Sequence, residues 1–497
     1  MARESVHPFL STFVDAFASG TPQDGYTAVG RHDLVIHRGA VVHRSQCSRA
    51  PRARRPLKAE SGGYRANHSK AFFAADLGAS ELSNPVSGIV SASTDEDIRS
   101  LVTAKVAGFF VERDGHGEYV RSWGGHSDSY AHSRDIGLLE GIERLSCAEP
   151  DDCMVVESVP EEVDIIRPEE FGVDLATQID PREIVAAWTL GHDLSDGRTV
   201  AVPARLVFYA ARLAEPVWVQ DSSSGCAVGG DDQEAQLFGL LEAIERDAFL
   251  LAWYGDLPLR QIDTSTVCDP ESIGYIARLR LIGIDVRFFD ATVGIDVPTV
   301  IAVCSTASDG VCFGAGSHPE PARALRSALI EVASDFQVVE DHVRQHRERL
   351  LAMFEDPNKV AAVDDHADLY GLREARSWLT HWANPDTRST RWCGLDELQR
   401  ASAPGTSITG DLGDVIAAVV QAGFSPIAVD VASSVARSYG LACWKVLVPG
   451  LLPLDFGWPE QRALSMPRLS GRGQEWLDAH APPGTALRVH RHPHPFP

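Results

Sequence analysis

Gly137-Leu-Leu-Glu-Gly-Ile-Glu-Arg144 returns further along the chain as Gly239-Leu-Leu-Glu-Ala-Ile-Glu-Arg246, altered only at the fifth position. A Gly- and Ser-rich stretch precedes each copy: Trp123-Gly-Gly-His-Ser-Asp-Ser129 and Asp221-Ser-Ser-Ser-Gly-Cys-Ala-Val-Gly-Gly230. Loop then helix, twice, indicates an internal duplication. On a helix Glu140, Glu143 and Arg144 stand at i, i+3 and i+4 and share one face, as do Glu242, Glu245 and Arg246. Leu138, Leu139, Ile142 and Leu145 cover the rest of the first helix and leave a narrow polar stripe. Glu234 falls about 80° round from Glu242 and about 20° from Glu245. One such stripe alone reads as a solvated row of ion pairs. A faithful repeat in apolar surroundings points instead to two stripes turned towards each other. Five converging carboxylates cannot all stay ionised without cations. Mg2+ takes one or two carboxylates and completes its shell with phosphate oxygens and water. The two arginines can meet further phosphate oxygens bidentately. The pattern predicts a magnesium–nucleotide site, in a chain without a G-x-x-x-x-G-K-[ST] loop.

Composition sets the frame. The chain has 497 residues, with 45 Lys and Arg against 69 Asp and Glu, for a formal charge of −24. Apolar residues at 44% and charged residues at 23% are globular values, so wholesale disorder is excluded. So acidic a surface argues against a nucleic-acid partner, which needs a positive face. The 9 cysteines include no C-x-x-C pair and read as reduced thiols. The start, MARESVHPFLSTFVDAF, has acid where a signal peptide needs a basic start and an unbroken apolar run. Val415 to Val429 is interrupted by Gln421, Gly423, Ser425 and Pro426 and is too short to span a bilayer. A cytoplasmic protein without a membrane partner is expected.

Residues 1–80 read as an irregular extension, with short apolar pieces at Leu34–Ile36 and Val41–Val42. The proline-broken basic run Arg49-Ala-Pro-Arg-Ala-Arg-Arg-Pro-Leu-Lys58 is a linker or a docking strip for a partner. From residue 84 onward strand-like and helix-like pieces alternate, an α+β pattern. Val286–Phe289 and Thr299–Cys304 are β-rich, and Ser308-Asp-Gly310 closes a hairpin with Val311–Phe313. Helices are predicted from about Pro321 to Val339 and from Leu412 to Ala422, with a strand at Ile427–Val429. His492 and His494 read as solvated residues, and Cys226 as a small packing residue.

Taken together, four stretches resemble the YcaO family of ATP-dependent peptide-backbone-modifying enzymes. They are Glu140-x-x-Glu-Arg144; Asp221-Ser-Ser-Ser-Gly225 leading to Glu234 and Glu242-x-x-Glu-Arg246; Gly314-Ala-Gly-Ser-His-Pro-Glu320 leading to Glu331; and Pro449-Gly-Leu-Leu-Pro453 with the chain end. The resemblance covers roughly residues 84–497. Pro493-His-Pro-Phe-Pro497 fits a terminal P-x-P-x-P and looks like the azoline-forming cyclodehydratase branch. A proline-locked tail is stiff and can hold a terminal carboxylate at a fixed point.

The resemblance implies a YcaO-type fold over residues 84–497, with ATP and Mg2+ as cofactors. A Cys, Ser or Thr of a ribosomally made precursor peptide would attack the preceding carbonyl, whose oxygen, once phosphorylated, leaves as phosphate to give a thiazoline or oxazoline. It implies Glu140, Glu143, Glu234, Glu242 and Glu245 as magnesium ligands, and Arg144, Ser223, Arg246, Arg326 and Glu331 at the nucleotide. The Pro497 carboxylate would orient reacting groups or take a proton. A separate leader-peptide-binding protein is expected as partner, in a homodimer or hetero-oligomer. The chain departs from the family pattern at Ile136, Gly230, Ser327 and Asp335. A subunit that scaffolds an active paralogue, and a thioamide- or amidine-forming enzyme, are the alternative readings.

Overall fold

The computed structural model describes the strands Leu34–His37 (β1) and Ala40–His43 (β2) and most of the chain from Leu82 to Phe496, leaving out 85–88, 115–116, 149, 151–153, 174–180, 182–184, 210–216, 221, 307–308, 388, 390 and 399–406. The two apolar pieces of the N-terminal stretch are thus an antiparallel strand pair. The rest of residues 1–80, including the basic run at 49–58, lies outside the described residues, as do Asp221 and Pro497.

Three further sheets carry the α+β fold. The first is an antiparallel set in which β3 (Asp95–Asp97) and the long β5 (Gly117–Ser127) flank β4 (Ala104–Asp114). Helix α1 (Tyr130–Ala148) leaves β5 after a short turn and packs back on this pair. The second sheet has the order β6-β8-β7-β15-β16-β9, built from Asp164–Ile165, Thr199–Pro203, Trp188–Asp193, Ile427–Asp430, Ala442–Leu447 and Cys226–Gly229. The short helix α2 (Ala204–Val207) continues β8, and helix α3 (Asp232–Tyr254) follows β9. Asp231 caps α3, its side chain accepting the Glu234 N–H at 3.0 Å.

The third sheet has the order β13-β12-β11-β10-β14. Its strands are Val311–Ser317, Thr299–Ser305, Val286–Asp290, Arg260–Ile262 and Trp392–Cys393. Helix α4 (Pro270–Leu281), capped by Asp269 with Pro270 in its first turn, precedes β11. The expected hairpin is there, with Cys304 opposite Cys312. Helix α5 spans Pro321–Glu355, well past the predicted end at Val339, because Val343 and, beyond a kink at His346, Leu350 and Met353 continue its buried stripe. Helices α6 (Val363–Tyr370), α7 (Ile408–Gln421), α8 (Ser434–Ser438) and α9 (Pro467–His480) complete the described set.

The largest buried cluster joins the second half of α3 to the third sheet and α5, through Phe249, Trp253, Phe313, Leu325 and Leu329. Because α3 is buried along nearly its whole length, its polar positions can face only internal space or another element. That constraint places the site. No helix among the described residues is long and apolar enough to cross a membrane.

Candidate functional site

The two octapeptides sit alike. In the first unit the Gly124 N–H donates to Glu140 Oε2 at 2.9 Å, and Arg144 Nη2 donates to Glu140 Oε1 at 2.6 Å. In the second the Gly225 N–H donates to Glu242 Oε2 at 3.1 Å, and Arg246 Nη2 donates to Glu242 Oε1 at 3.1 Å. A strand or its lead-in, a glycine N–H and a helix arginine therefore hold the first glutamate of each stripe by the same two hydrogen bonds. The third strand–helix pair repeats half of this device: the Ala315 N–H on β13 donates to Glu331 Oε2 on α5 at 2.8 Å. Sequence spacing alone does not reveal this third unit, since α5 carries no copy of the octapeptide.

The difference at the fifth position has a local cause. Trp123 lies against α1, its indole N–H donating to the Val90 carbonyl at 2.6 Å. A Cβ on Gly141 would stand 3.0 Å from both the Trp123 ring and Val90, whereas the second copy carries Ala243 at the equivalent position. At the first position glycine recurs for two different reasons. A Cβ on Gly137 would meet Trp123 at 2.7 Å, and one on Gly239 would meet the Gly225 carbonyl at 2.6 Å.

The stripes share one space. Burial raises the Glu143 carboxyl well above its ordinary range, and the charges of Cys226, Glu242 and Glu140 push the same way. Burial also lifts Glu245 to about 7, with Glu242 adding to the rise. Glu331 is pushed up to about 8, by burial first and then by Glu245. Glu245 is 8% exposed and accepts the Ser317 N–H of β13 at 3.1 Å. Glu140, Glu143, Glu242, Glu245 and Glu331 thus bear on one another's charge in sequence, a row of neighbours across α1, α3 and α5. Glu234, buried and accepting the Gly230 N–H at 2.7 Å, sits about 12 Å further along α3 from Glu242.

Cations flank the row. Arg246 is ion-paired to Glu242 and Glu245, yet its buried Nε and Nη1 have no aligned acceptor. It lines a small cavity with Ser222, Ser224, Arg205, Lys445 and Arg462. Lys445 is 1% exposed and donates to the Ser222 carbonyl at 2.7 Å. Sequence reading missed Lys445, although a lone lysine inside the apolar run Leu441–Leu447 is a visible signal. Ser223 is exposed in the adjoining loop.

Arg326 is not brought to the row. Its guanidinium donates to both Asp269 oxygens, at 3.0 and 2.9 Å, and to Glu271 at 2.8 Å, where it fixes α5 to the start of α4. The terminal histidines are a correction too. His494 is fully buried, stacked on His366 at 4.1 Å, and His492 stacks on Trp378 at 4.7 Å. Tyr370 donates to the Pro493 carbonyl at 2.5 Å, and the Phe496 ring lies 3.9 Å from the Arg246 guanidinium. Solvation was the wrong expectation because aromatic walls formed by distant segments enclose the tail.

A buried carboxylate row with under-satisfied cations beside it suits Mg2+ and a polyphosphate. Among the described residues no group of three or more His, Cys, Asp or Glu is arranged to hold a metal ion. The raised carboxyls also fix a pH dependence. Between about pH 7.5 and 8.5 the folded chain holds protons that the unfolded chain has released, so stability falls as pH rises. The buried histidines, lowered to about 4 at His366, His490 and His492, are neutral in both states across that window. Melting temperatures in metal-free buffer should therefore decline across it, with Mg2+ and nucleotide restoring most at the upper end. A rise instead would contradict the buried row.

The fold and site define a class: an α+β protein whose duplicated strand–helix units gather carboxylates without a P-loop. A family model described as YcaO cyclodehydratase, ATP- and Mg2+-binding, matches residues 124–452. The chain belongs to the YcaO family, and the expected cofactors, ATP and Mg2+, are those of the family. An uncharacterized protein of Methanothermobacter thermautotrophicus is 26% identical over 347 residues, 67% of this chain and 82% of that protein. A second, from the tfuA 3' region of Rhizobium leguminosarum bv. trifolii, is 32% identical over 158 residues, 29% of this chain and 38% of its own. Among solved structures, a heterocyclase in complex with substrate and cofactor superposes with a TM-score of 0.59 at 21% identity, over 80% of this chain. The match spans 54% of that longer chain. The YcaO of Methanopyrus kandleri, bound with AMPPCP and Mg2+, gives a TM-score of 0.54 at 21% identity over 73% of this chain and 86% of its own.

Proposed function

We propose that this chain is the ATP-using subunit of an azoline-forming synthetase, closing Cys, Ser or Thr residues of a ribosomally made precursor peptide into thiazolines or oxazolines. The observation that carries this reading is the row Glu140–Glu143–Glu242–Glu245–Glu331 beside the under-satisfied guanidinium of Arg246. In the proposal Glu140, Glu143, Glu242 and Glu245 hold Mg2+, with Glu234 reaching a second ion further along α3. Arg246 and Lys445 meet phosphate oxygens, Arg144 orders Glu140, and Ser223 offers its hydroxyl at the loop. Glu331, fixed by the Ala315 N–H, faces the nucleotide beside them. Bound Mg2+–ATP supplies the phosphoryl group that turns an amide oxygen into a leaving group. The chain's part is to position the peptide amide and to neutralise charge developing on that oxygen. Phe496 against Arg246 puts the tail at the row, and the Pro497 carboxylate is assigned to orienting the attacking group. A separate leader-binding protein supplies the precursor, within a homodimer or hetero-oligomer.

Asp335, which the family pattern makes an extra negative charge, is compensated by Lys105 at 3.4 Å. That pairing favours an active subunit over a scaffold. Incubation with ATP, Mg2+, a precursor peptide and its leader-binding partner should remove the mass of one water per ring and release phosphate. Unchanged peptide mass with a competent partner, alongside absent nucleotide binding, would establish the scaffold reading instead.

A further inference from the structure

The last stretch of the chain, residues 481–496, carries no helix or strand, and Pro493 and Pro495 bring no N–H to it. Such a segment can be held only through its carbonyls, its remaining amides and its side chains. Helix α6 supplies two of the holders, His366 and Tyr370, which stand at i and i+4 on one face. Tyr370 takes the Pro493 carbonyl. His366 is 0% exposed and makes two contacts: Nδ1 lies 2.8 Å from the His494 carbonyl oxygen, and Nε2 lies 2.9 Å from the Gly457 nitrogen. A carbonyl only accepts and an amide N–H only donates, so Nδ1 carries the proton and Nε2 is bare. The ring is neutral and locked in one tautomer, and burial, which lowers it to about 4, keeps it so.

This imidazole ties two segments together. Gly457 belongs to a loop that Gln461 braces through the Asp455 carbonyl at 2.6 Å and the Gly457 carbonyl at 3.0 Å. The His494 ring donates from Nε2 to that same Asp455 carbonyl at 2.8 Å while stacking on His366. Two residues on, Phe496 is 1% exposed, its ring 4.7 Å from that of Phe249 and 3.9 Å from the Arg246 guanidinium. One anchor fixes a point, whereas two fix a direction. His494 and Phe496 are two such anchors, and the direction they set leads to Arg246 beside the carboxylate row. Upstream, the His490 N–H donates to the Tyr254 carbonyl at 2.7 Å, an attachment that owes nothing to His366.

We propose that His366 is a positioning residue: by holding the His494 carbonyl it aims the chain end at the carboxylate row, without touching substrate. The purpose of that aim rests on the peptide-modifying reading, whereas the clamp itself needs neither nucleotide nor peptide. The test uses the full chain with His366→Leu, which removes both hydrogen bonds, and His366→Asn, whose side-chain amide can stand in for Nδ1–H toward His494. Residues 493–496 are buried, so the His494 and Phe496 amides exchange with solvent only when the tail lifts. Hydrogen–deuterium exchange of C-terminal fragments should be about tenfold faster at these two amides in His366→Leu, as loss of one buried hydrogen bond predicts. The His490 amide should stay protected. With Mg2+, ATP and a precursor peptide, kcat for ring closure should fall about a hundredfold while KM for ATP is unchanged, the signature of misplaced rather than missing groups. His366→Asn should restore most of both effects. Unchanged exchange in His366→Leu, or no recovery in His366→Asn, would overturn the proposal. So would an equal rise at the His490 amide, since the packing around the tail and not its aim would then have failed, or a KM for ATP that rises as far as kcat falls. A parent chain that closes no rings would sink the reaction reading, and the exchange contrast would still decide whether His366 clamps the tail.

Discussion

Glu242→Gln should lower peptide dehydration by about two to three orders of magnitude with little change in heat stability. Glu242 is the hinge of the row: it accepts from Gly225 and Arg246 on its own unit, and its charge bears on both Glu143 and Glu245. Glutamine keeps the shape and can still accept the Gly225 N–H through its carbonyl, but its NH2 then faces Arg246 and that hydrogen bond is lost. It cannot supply the charge that a magnesium ion requires. The same loss relieves repulsion between carboxylates already crowded out of water, which offsets the lost pairing with Arg246, so stability changes little where catalysis falls. Intact-mass analysis with phosphate release reads the first effect, and thermal melting without ligand reads the second. Full activity in this variant would remove the metal-ligand role, and a sharply lower melting temperature would mean that the row is structural.

The second large effect falls on folding. Gly225 has φ +84°, and a Cβ there would run into the Val446 carbonyl of β16. Left-handed strain in a non-glycine residue costs about 1–3 kcal/mol, and displacing a buried strand adds to it. Gly225→Ala should therefore destabilise the protein by about 3 kcal/mol or more and detach Glu242 from its backbone donor. Gly274→Ala is the matched comparison, because a Cβ at that helical position meets nothing within 4 Å. It should leave stability unchanged or raise it by about 0.5–1 kcal/mol. Chemical unfolding of the two variants beside the parent decides the matter; equal effects would mean that the close approach at Gly225 is not needed.

What the sequence discloses and what it hides divide along one line. The octapeptides, the Thr299–Phe313 hairpin and the start of α5 are legible because period and turn chemistry act over a few residues. Arg326 misleads because its partners Asp269 and Glu271 lie more than fifty positions away and are apposed only by helix packing. The terminal histidines mislead for the same reason: His366 and Trp378, which enclose them, come from elements far upstream. Lys445 escapes notice because a strand pattern shows that a position is buried without showing what it is buried beside. The resemblance supplies Glu331, and only three-dimensional pairing with Ala315 shows why it belongs with the other glutamates.

The methyl group that separates Gly141 from Ala243 has an evolutionary corollary. Duplicated segments begin as interchangeable copies, open to exchange by recombination. Once Trp123 fills the volume over the first helix, importing the second octapeptide would drive a side chain against that indole and Val90. Exchange between the two halves is thereby penalised, and each is free to specialise within a shared architecture.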